Sequence, residues 1–94
     1  MDDLEAIDEF LAVSVPIDAR LRGTVHLHCT DGEGEWFIDT DGTVERKHQK
    51  ADVALRGSAA DLLLALQGRV DISDLEVFGD PAIARNLIER LDLG

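Results

Sequence analysis

Between Ala51 and Leu91 the spacing of apolar residues switches from a strand period to a helix period, and then repeats the switch. Few folds produce that order. Ala51-Asp52-Val53-Ala54-Leu55-Arg56 alternates with a period near two, as a strand with one buried face does. Gly57 breaks it, Ser58 stands where an N-cap belongs, Asp61 follows three residues on, and Leu62, Leu63 and Leu66 recur at helical spacing. Leu75-Glu76-Val77-Phe78 reads as a second short strand. Gly79-Asp80-Pro81 ends it and opens another helix: Asp80 can cap, and Pro81 at the first helical position has no N–H to leave unsatisfied. Ile83, Leu87, Ile88 and Leu91 then form the apolar stripe.

Upstream, Leu4, Ile7, Phe10 and Leu11 sit three and four apart within Asp2 to Val13, with acids on the other face, which predicts an amphipathic lead-in helix closed by Pro16. From Leu21 to Cys29 the odd positions are Leu, Gly, Val, Leu and Cys. Arg20, Arg22, Thr24, His26, His28 and Thr30 share the opposite face of this half-buried strand. Asp31-Gly32-Glu33-Gly34 makes a turn, Glu35 to Asp39 a second strand with Trp36 and Ile38 on one face, and Asp41-Gly42 a hairpin into a third strand, Thr43 to Lys47. The whole predicts one α+β domain over residues 1–94, with residues 1–14 as a lead-in helix. Its five-stranded, mainly antiparallel sheet carries two or three helices on one face. The 58–67 helix is expected to cross over between the fourth and fifth strands.

Ninety-four residues suffice for one domain and one modest core. A composition 45% hydrophobic and 31% charged is that of a globular chain. The formal charge of −11 and a sequence pI near 4.4 repel a phosphate backbone and anionic membrane surfaces, so neither nucleic acid nor membrane is an expected partner. The basic run Arg46-Lys47-His48-Gln49-Lys50 is the exception. It reads either as a solvated strand end or as a patch for an anion or acidic partner. The acidic opening Met1-Asp2-Asp3-Leu4-Glu5 is unlike a secretory signal, and no apolar run approaches the roughly 20 residues needed to span a bilayer, so a cytoplasmic location is expected. Cys29 is the only cysteine and excludes an internal disulfide.

The wording of Ala51 to Leu66, with Gly68-Arg69 and Leu75-Glu-Val-Phe-Gly-Asp-Pro-Ala, closely resembles the C-terminal domain of mycothiol-dependent maleylpyruvate isomerases. The likeness extends upstream through Gly23-Thr-Val-His-Leu-His-Cys-Thr-Asp-Gly-Glu-Gly-Glu-Trp. More distantly, the Gly79-Asp80 step into the last helix is similar to the end of sterol carrier proteins, whose fold places helices on one side of a five-stranded sheet. The resemblance implies that the metal-dependent chemistry belongs to an N-terminal DinB-like helical bundle, which has no counterpart in these residues. It also implies an arginine contributed to the active-site region, for which Arg69 is the best positional match beside Arg56 and Arg85. The expected function is therefore that of a non-catalytic, stand-alone accessory domain acting as a protein-interaction module. Its expected partners are a second copy in a homodimer or a metal-carrying bundle protein in trans. A sterol-carrier-like binder of a small apolar molecule and the non-metal subunit of a thiol-dependent isomerase or transferase are the alternatives. No cofactor is expected, mycothiol entering only through the resemblance.

The residues themselves offer no self-contained catalytic set. His26 and His28 project from one strand face, and spacing permits His48 to join them, but Arg20 and Arg22 share that face and no motif supplies a fourth ligand. Solvent-facing histidines, and no metal site, are expected. Cys29 and His28 are adjacent on a strand and point apart, which argues against a nucleophile–base pair. Gly32 and Gly34 lie among acids that would repel phosphate. Arg69 after the leucine-rich helix could complement that helix's C-terminus or bind a carboxylate in two-pronged fashion. Trp36 is expected to pack on the sheet or to wall a pocket. Leu62, Leu63, Leu64 and Leu66 cover more helix circumference than one face needs, so Leu63 and Leu64 are the candidates for a partner interface or an apolar pocket.

Overall fold

The computed structural model describes residues 3–14 and 20–93; Pro16, expected to close the first helix, lies outside them. In chain order the elements are α1 (Asp3–Ser14), β1 (Val25–Cys29), β2 (Glu35–Ile38), β3 (Val44–Glu45), β4 (Val53–Gly57), α2 (Ala59–Leu66), a 3-10 turn (Ile72–Asp74), β5 (Glu76–Gly79) and α3 (Pro81–Leu93). The expected α+β domain forms, with strand order β3-β2-β1-β4-β5.

Local chemistry places the element ends as anticipated. The Ser58 hydroxyl accepts from the Asp61 amide at 3.1 Å and caps α2. Asp80 accepts from the Ala82 amide at 2.9 Å, with Pro81 opening α3. At the β2–β3 hairpin Gly42 takes φ +88°, where a side chain would be strained, while Asp41 accepts from the Thr43 amide at 2.9 Å. Gly79 has φ +99°, and a Cβ there would stand 2.2 Å from the Asp52 carbonyl oxygen, so only glycine lets β5 lie against the start of β4.

The sheet is mainly antiparallel as expected, but one expectation on topology needs correction. The β4–β5 pair is antiparallel, so the α2 connection does not cross over. The crossover is the β3–β4 connection, which returns β4 parallel to β1 and makes the sheet mixed, with the other three pairs antiparallel. Register at this seam is fixed by a side-chain clamp. Asp52 Oδ2 accepts from the Thr24 amide (2.9 Å) and hydroxyl (3.2 Å), and Thr24 Oγ1 accepts from the Asp52 amide (2.9 Å). The third strand is also shorter than the expected Thr43 to Lys47, because after Glu45 the chain turns over the sheet, laying Lys47 Nζ 5.1 Å from the Phe37 ring centre.

The main apolar cluster lies on one face, with Phe37 buried on the other. Ile38, Val25 and Val53 form one cross-strand row and Trp36, Leu27 and Leu55 the next. Against them pack Ile7 and Leu11 of α1, Ala59, Leu62, Ala65 and Leu66 of α2, and Ala84, Leu87 and Leu91 of α3. Each Val or Leu so buried contributes about 1.5–3 kcal/mol of transfer free energy. Cys29 points into this core as expected, and its thiol donates to Asp31 Oδ1 at 2.8 Å. Burial raises the thiol's pKa, which disfavours the thiolate a nucleophile requires. No described helix is long and apolar enough to cross a membrane.

Candidate functional site

Among the described residues no helix packs on the opposite face of the sheet, whose rows read Phe37, His26, Ala54, Phe78 and Glu35, His28, Arg56, Glu76. Strand alternation puts His26 and His28 here together, and antiparallel register sets Glu35 directly across from His28. The chain leaving β3 then passes above this face and brings His48 down from sequence 22 positions beyond His26.

Three imidazoles converge on one carboxylate oxygen. His28 and His48 each donate Nδ1–H to Glu35 Oε1, at 2.6 and 2.8 Å; the carboxylate can only accept, which sets the tautomers. His26 Nε2 lies 3.3 Å from the same oxygen, outside hydrogen-bond geometry, and is left buried without a partner. The His26 ring packs edge-on to both neighbours, with centroids 5.8 Å from His28 and 5.1 Å from His48. Burial holds the His26 ring below the ordinary histidine pKa, with the Glu35 charge acting against that shift. The hydrogen bond from His48 and that from His28 hold the Glu35 carboxyl below its usual value, against partial desolvation. One potential ligand atom from each of His26, His28, Glu35 and His48 lies within 4.8 Å of the others.

The expectation of solvent-facing histidines therefore fails at His26, which is only 7% exposed because the β3–β4 connection roofs it. His28 is half-buried and His48 exposed. Arg20 and Arg22, thought to share this face, precede the start of β1, and none of the ion pairs among the described residues joins them to the cluster. A groove of about 450 Å3 adjoins the cluster, lined by His26, His48, Lys50, Asp52, Ala54 and Phe78 among others. Glu35 escaped sequence reasoning because it reads only as the polar first residue of the second strand. Its placement opposite His28 across a short hairpin was the available signal.

The other candidates lie apart. Trp36 is wholly buried; its Nε1–H donates to Asp8 Oδ1 at 2.6 Å, and the Arg46 guanidinium, paired with Asp8, lies over its ring at 5.0 Å. Leu63, with Ala6, Glu9, Phe10, Val13 and Gln67, lines a groove of about 250 Å3 between α1 and α2, whereas Leu64 is half-buried and outside that lining. Arg69 is exposed, and its amide donates to the Leu64 carbonyl at 2.9 Å beyond Gly68 (φ +73°), which closes α2. The groove of about 260 Å3 that follows is lined by Arg85 rather than Arg69, with Asp71 3.5 Å from the Arg85 guanidinium.

Solved structures share this architecture. The crystal structure of sterol carrier protein 2 like 2 from Aedes aegypti superposes with a TM-score of 0.66 at 20% identity, covering 93% of this chain and 94% of that one. Sterol carrier protein-2 of the same mosquito, solved in complex with the C16 fatty acid palmitate, gives a TM-score of 0.63 at 16% identity over 96% and 92% of the two chains. A ubiquinone synthesis protein, UbiJ-SCP2, gives 0.59 at 18% over 95% and 84%. No curated protein matches the chain. At these identities the likeness establishes the sterol carrier protein-like fold, while the family profile of the MDMPI C-terminal domain matches residues 3–85, nearly the whole chain. With its helix-backed mixed sheet and that match, the chain belongs to the MDMPI C-terminal domain family.

Proposed function

We propose that this domain is a non-catalytic accessory module that works through its surface, docking the apolar face of a partner helix in the groove between α1 and α2. The observation that carries this reading is the filled interior. Trp36, Ile7, Leu11, Leu27, Ile38, Leu55, Leu62, Leu66 and Leu87 close the space between helices and sheet. The α1–α2 groove is apolar along Ala6, Phe10, Val13 and Leu63, with Glu9 and Gln67 as polar lining, and Val13 is 75% exposed. At about 250 Å3 it is smaller than the roughly 300–1,000 Å3 of pockets that enclose a drug-sized ligand, but it suits side chains from a helix laid along it. A helical bundle protein is the favoured partner, since the family resemblance supplies such a bundle as this domain's companion. A second copy of this chain must overcome the repulsion of two charges of −11.

A second reading, a carrier of a small apolar molecule, is favoured by one observation: the same fold has been solved with palmitate bound. Native mass spectrometry separates the two. The purified chain is measured alone and mixed with a recombinant DinB-like bundle domain of the isomerase family. A complex that forms with wild type and disappears with Val13→Glu, a change at an exposed position, supports docking. A bare monomer that ignores the bundle sinks it, and a monomer carrying a stoichiometric fatty-acid mass establishes the carrier reading instead. Loss of thiol-dependent activity in such a mixture on Arg69→Ala, with Arg85→Ala alongside, would reveal which arginine acts as the family's carboxylate binder.

A further inference from the structure

We propose that His26, His28, His48 and Glu35 form a binding site for a single divalent transition-metal ion of the zinc class on the open face of the sheet. Neither the family reading nor the docking groove requires this site, which lies on the opposite side of the sheet from α1 and α2.

Geometry leads to it first. Tetrahedral zinc holds nitrogen at about 2.0–2.1 Å and carboxylate oxygen at about 2.0–2.2 Å, so its ligand atoms stand about 3.3 Å apart. His26 Nε2, His28 Nδ1, His48 Nδ1 and a Glu35 oxygen already lie within 4.8 Å of one another, with 3.3, 2.6 and 2.8 Å separating the three nitrogens from Oε1. Small side-chain rotations open that cluster to the tetrahedral spacing. The donor set then selects the ion. Three imidazoles and one carboxylate suit zinc, cobalt, nickel or copper, whereas magnesium and calcium prefer all-oxygen shells.

An independent observation is the lone pair or N–H of His26 Nε2, more than nine-tenths buried, aimed into the cluster and without a hydrogen-bond partner. A buried polar atom left without a hydrogen-bond partner is destabilising, and a bound ion removes that penalty. The groove beside His26 and His48 supplies a path for the ion. Three ligands come from the paired strands β1 and β2, which hold them rigidly; the fourth, His48, comes from the connection between β3 and β4. Occupancy would therefore pin that connection to the sheet.

The test uses the full chain without an affinity tag, stripped with chelator and titrated near neutral pH with Zn2+ or Co2+ alone. We expect one ion per chain, a rise in thermal midpoint, and for Co2+ the intense visible bands of tetrahedral nitrogen–oxygen coordination without a sulfur charge-transfer band, since Cys29 faces the core. His48→Ala, at an exposed position outside the apolar core, should weaken binding at least tenfold, and Glu35→Gln and His28→Ala should do the same. Absence of stoichiometric binding would overturn the site. So would binding unchanged by His48→Ala and Glu35→Gln, which would reveal diffuse attraction of the cation to an acidic chain.

Discussion

The five residues of β1, Val25-His26-Leu27-His28-Cys29, serve two surfaces that differ in every respect except the backbone they share. On one side Val25, Leu27 and Cys29 are buried in the apolar core that the three helices cover, and only Cys29 adds a side-chain hydrogen bond, to Asp31. On the other, His26 and His28 meet a carboxylate and a third histidine brought by a stretch of chain with no regular structure. The comparison teaches that strand alternation decides which way a side chain points and leaves open what it meets. His26 is nearly as buried as its apolar neighbours, yet it is buried under a connection instead of a helix.

Substitutions can break that contrast in order of expected size. Leu27→Ala, on the packed side, should cost about 2–5 kcal/mol, because the helices cannot follow the sheet into the cavity; chemical denaturation followed by Trp36 fluorescence checks it. Asp8→Ala should cost about 1–3 kcal/mol, by orphaning the fully buried Trp36 N–H, and a smaller loss would mean that water replaces the carboxylate. Ser58→Ala should cost about 1 kcal/mol through loss of the α2 cap. His26→Leu, one residue from Leu27, should change stability by no more than about 1 kcal/mol, since an unpaired polar atom is exchanged for apolar surface. A loss as large as that at Leu27 would erase the distinction between the two sides.

The smallest effect concerns pH. Asp31, exposed at the end of β1, accepts from the Cys29 thiol and from the Ala59 amide at the start of α2, and these bonds hold its pKa below the usual carboxylate value. Its folded-state pKa is depressed, so its contribution is present above the unfolded value near 3.8 and fades as pH falls through the lower folded one. Asp31→Asn should therefore lower stability slightly at neutral pH and converge with wild type in acid. Urea midpoints measured across that range would expose any divergence.

Much of the fold was legible because it is local. The period change from Ala51 to Leu91, the Ser58 and Asp80 caps and the Asp41-Gly42 hairpin each depend on neighbours within a few residues, and each forms as read. The parallel β1–β4 pairing was not legible, since it depends on Thr24 and Asp52 meeting across 28 positions, where no period links them. The histidine cluster shows the same boundary. His26 and His28 follow from alternation, but Glu35 required the register of a hairpin, and His48 required the path of an irregular connection. The 3-10 turn at Ile72–Asp74, started by Asp71 accepting from the Ser73 amide, carries too short a pattern to be noticed in sequence.

The β1–β4 seam also divides the polypeptide in two. Strands β1 to β3 precede it and β4 and β5 follow it, and the connection between passes through the exposed residues Gln49 and Lys50. Severing the peptide bond there would leave two fragments whose matching apolar edges, Val25 and Leu27 on one and Val53 and Leu55 on the other, meet in the same register. Helix α1 would dock onto α2 as a second point of recognition. In the intact chain the same long-range closure, with its loop entropy, is the step expected to govern how fast the domain folds.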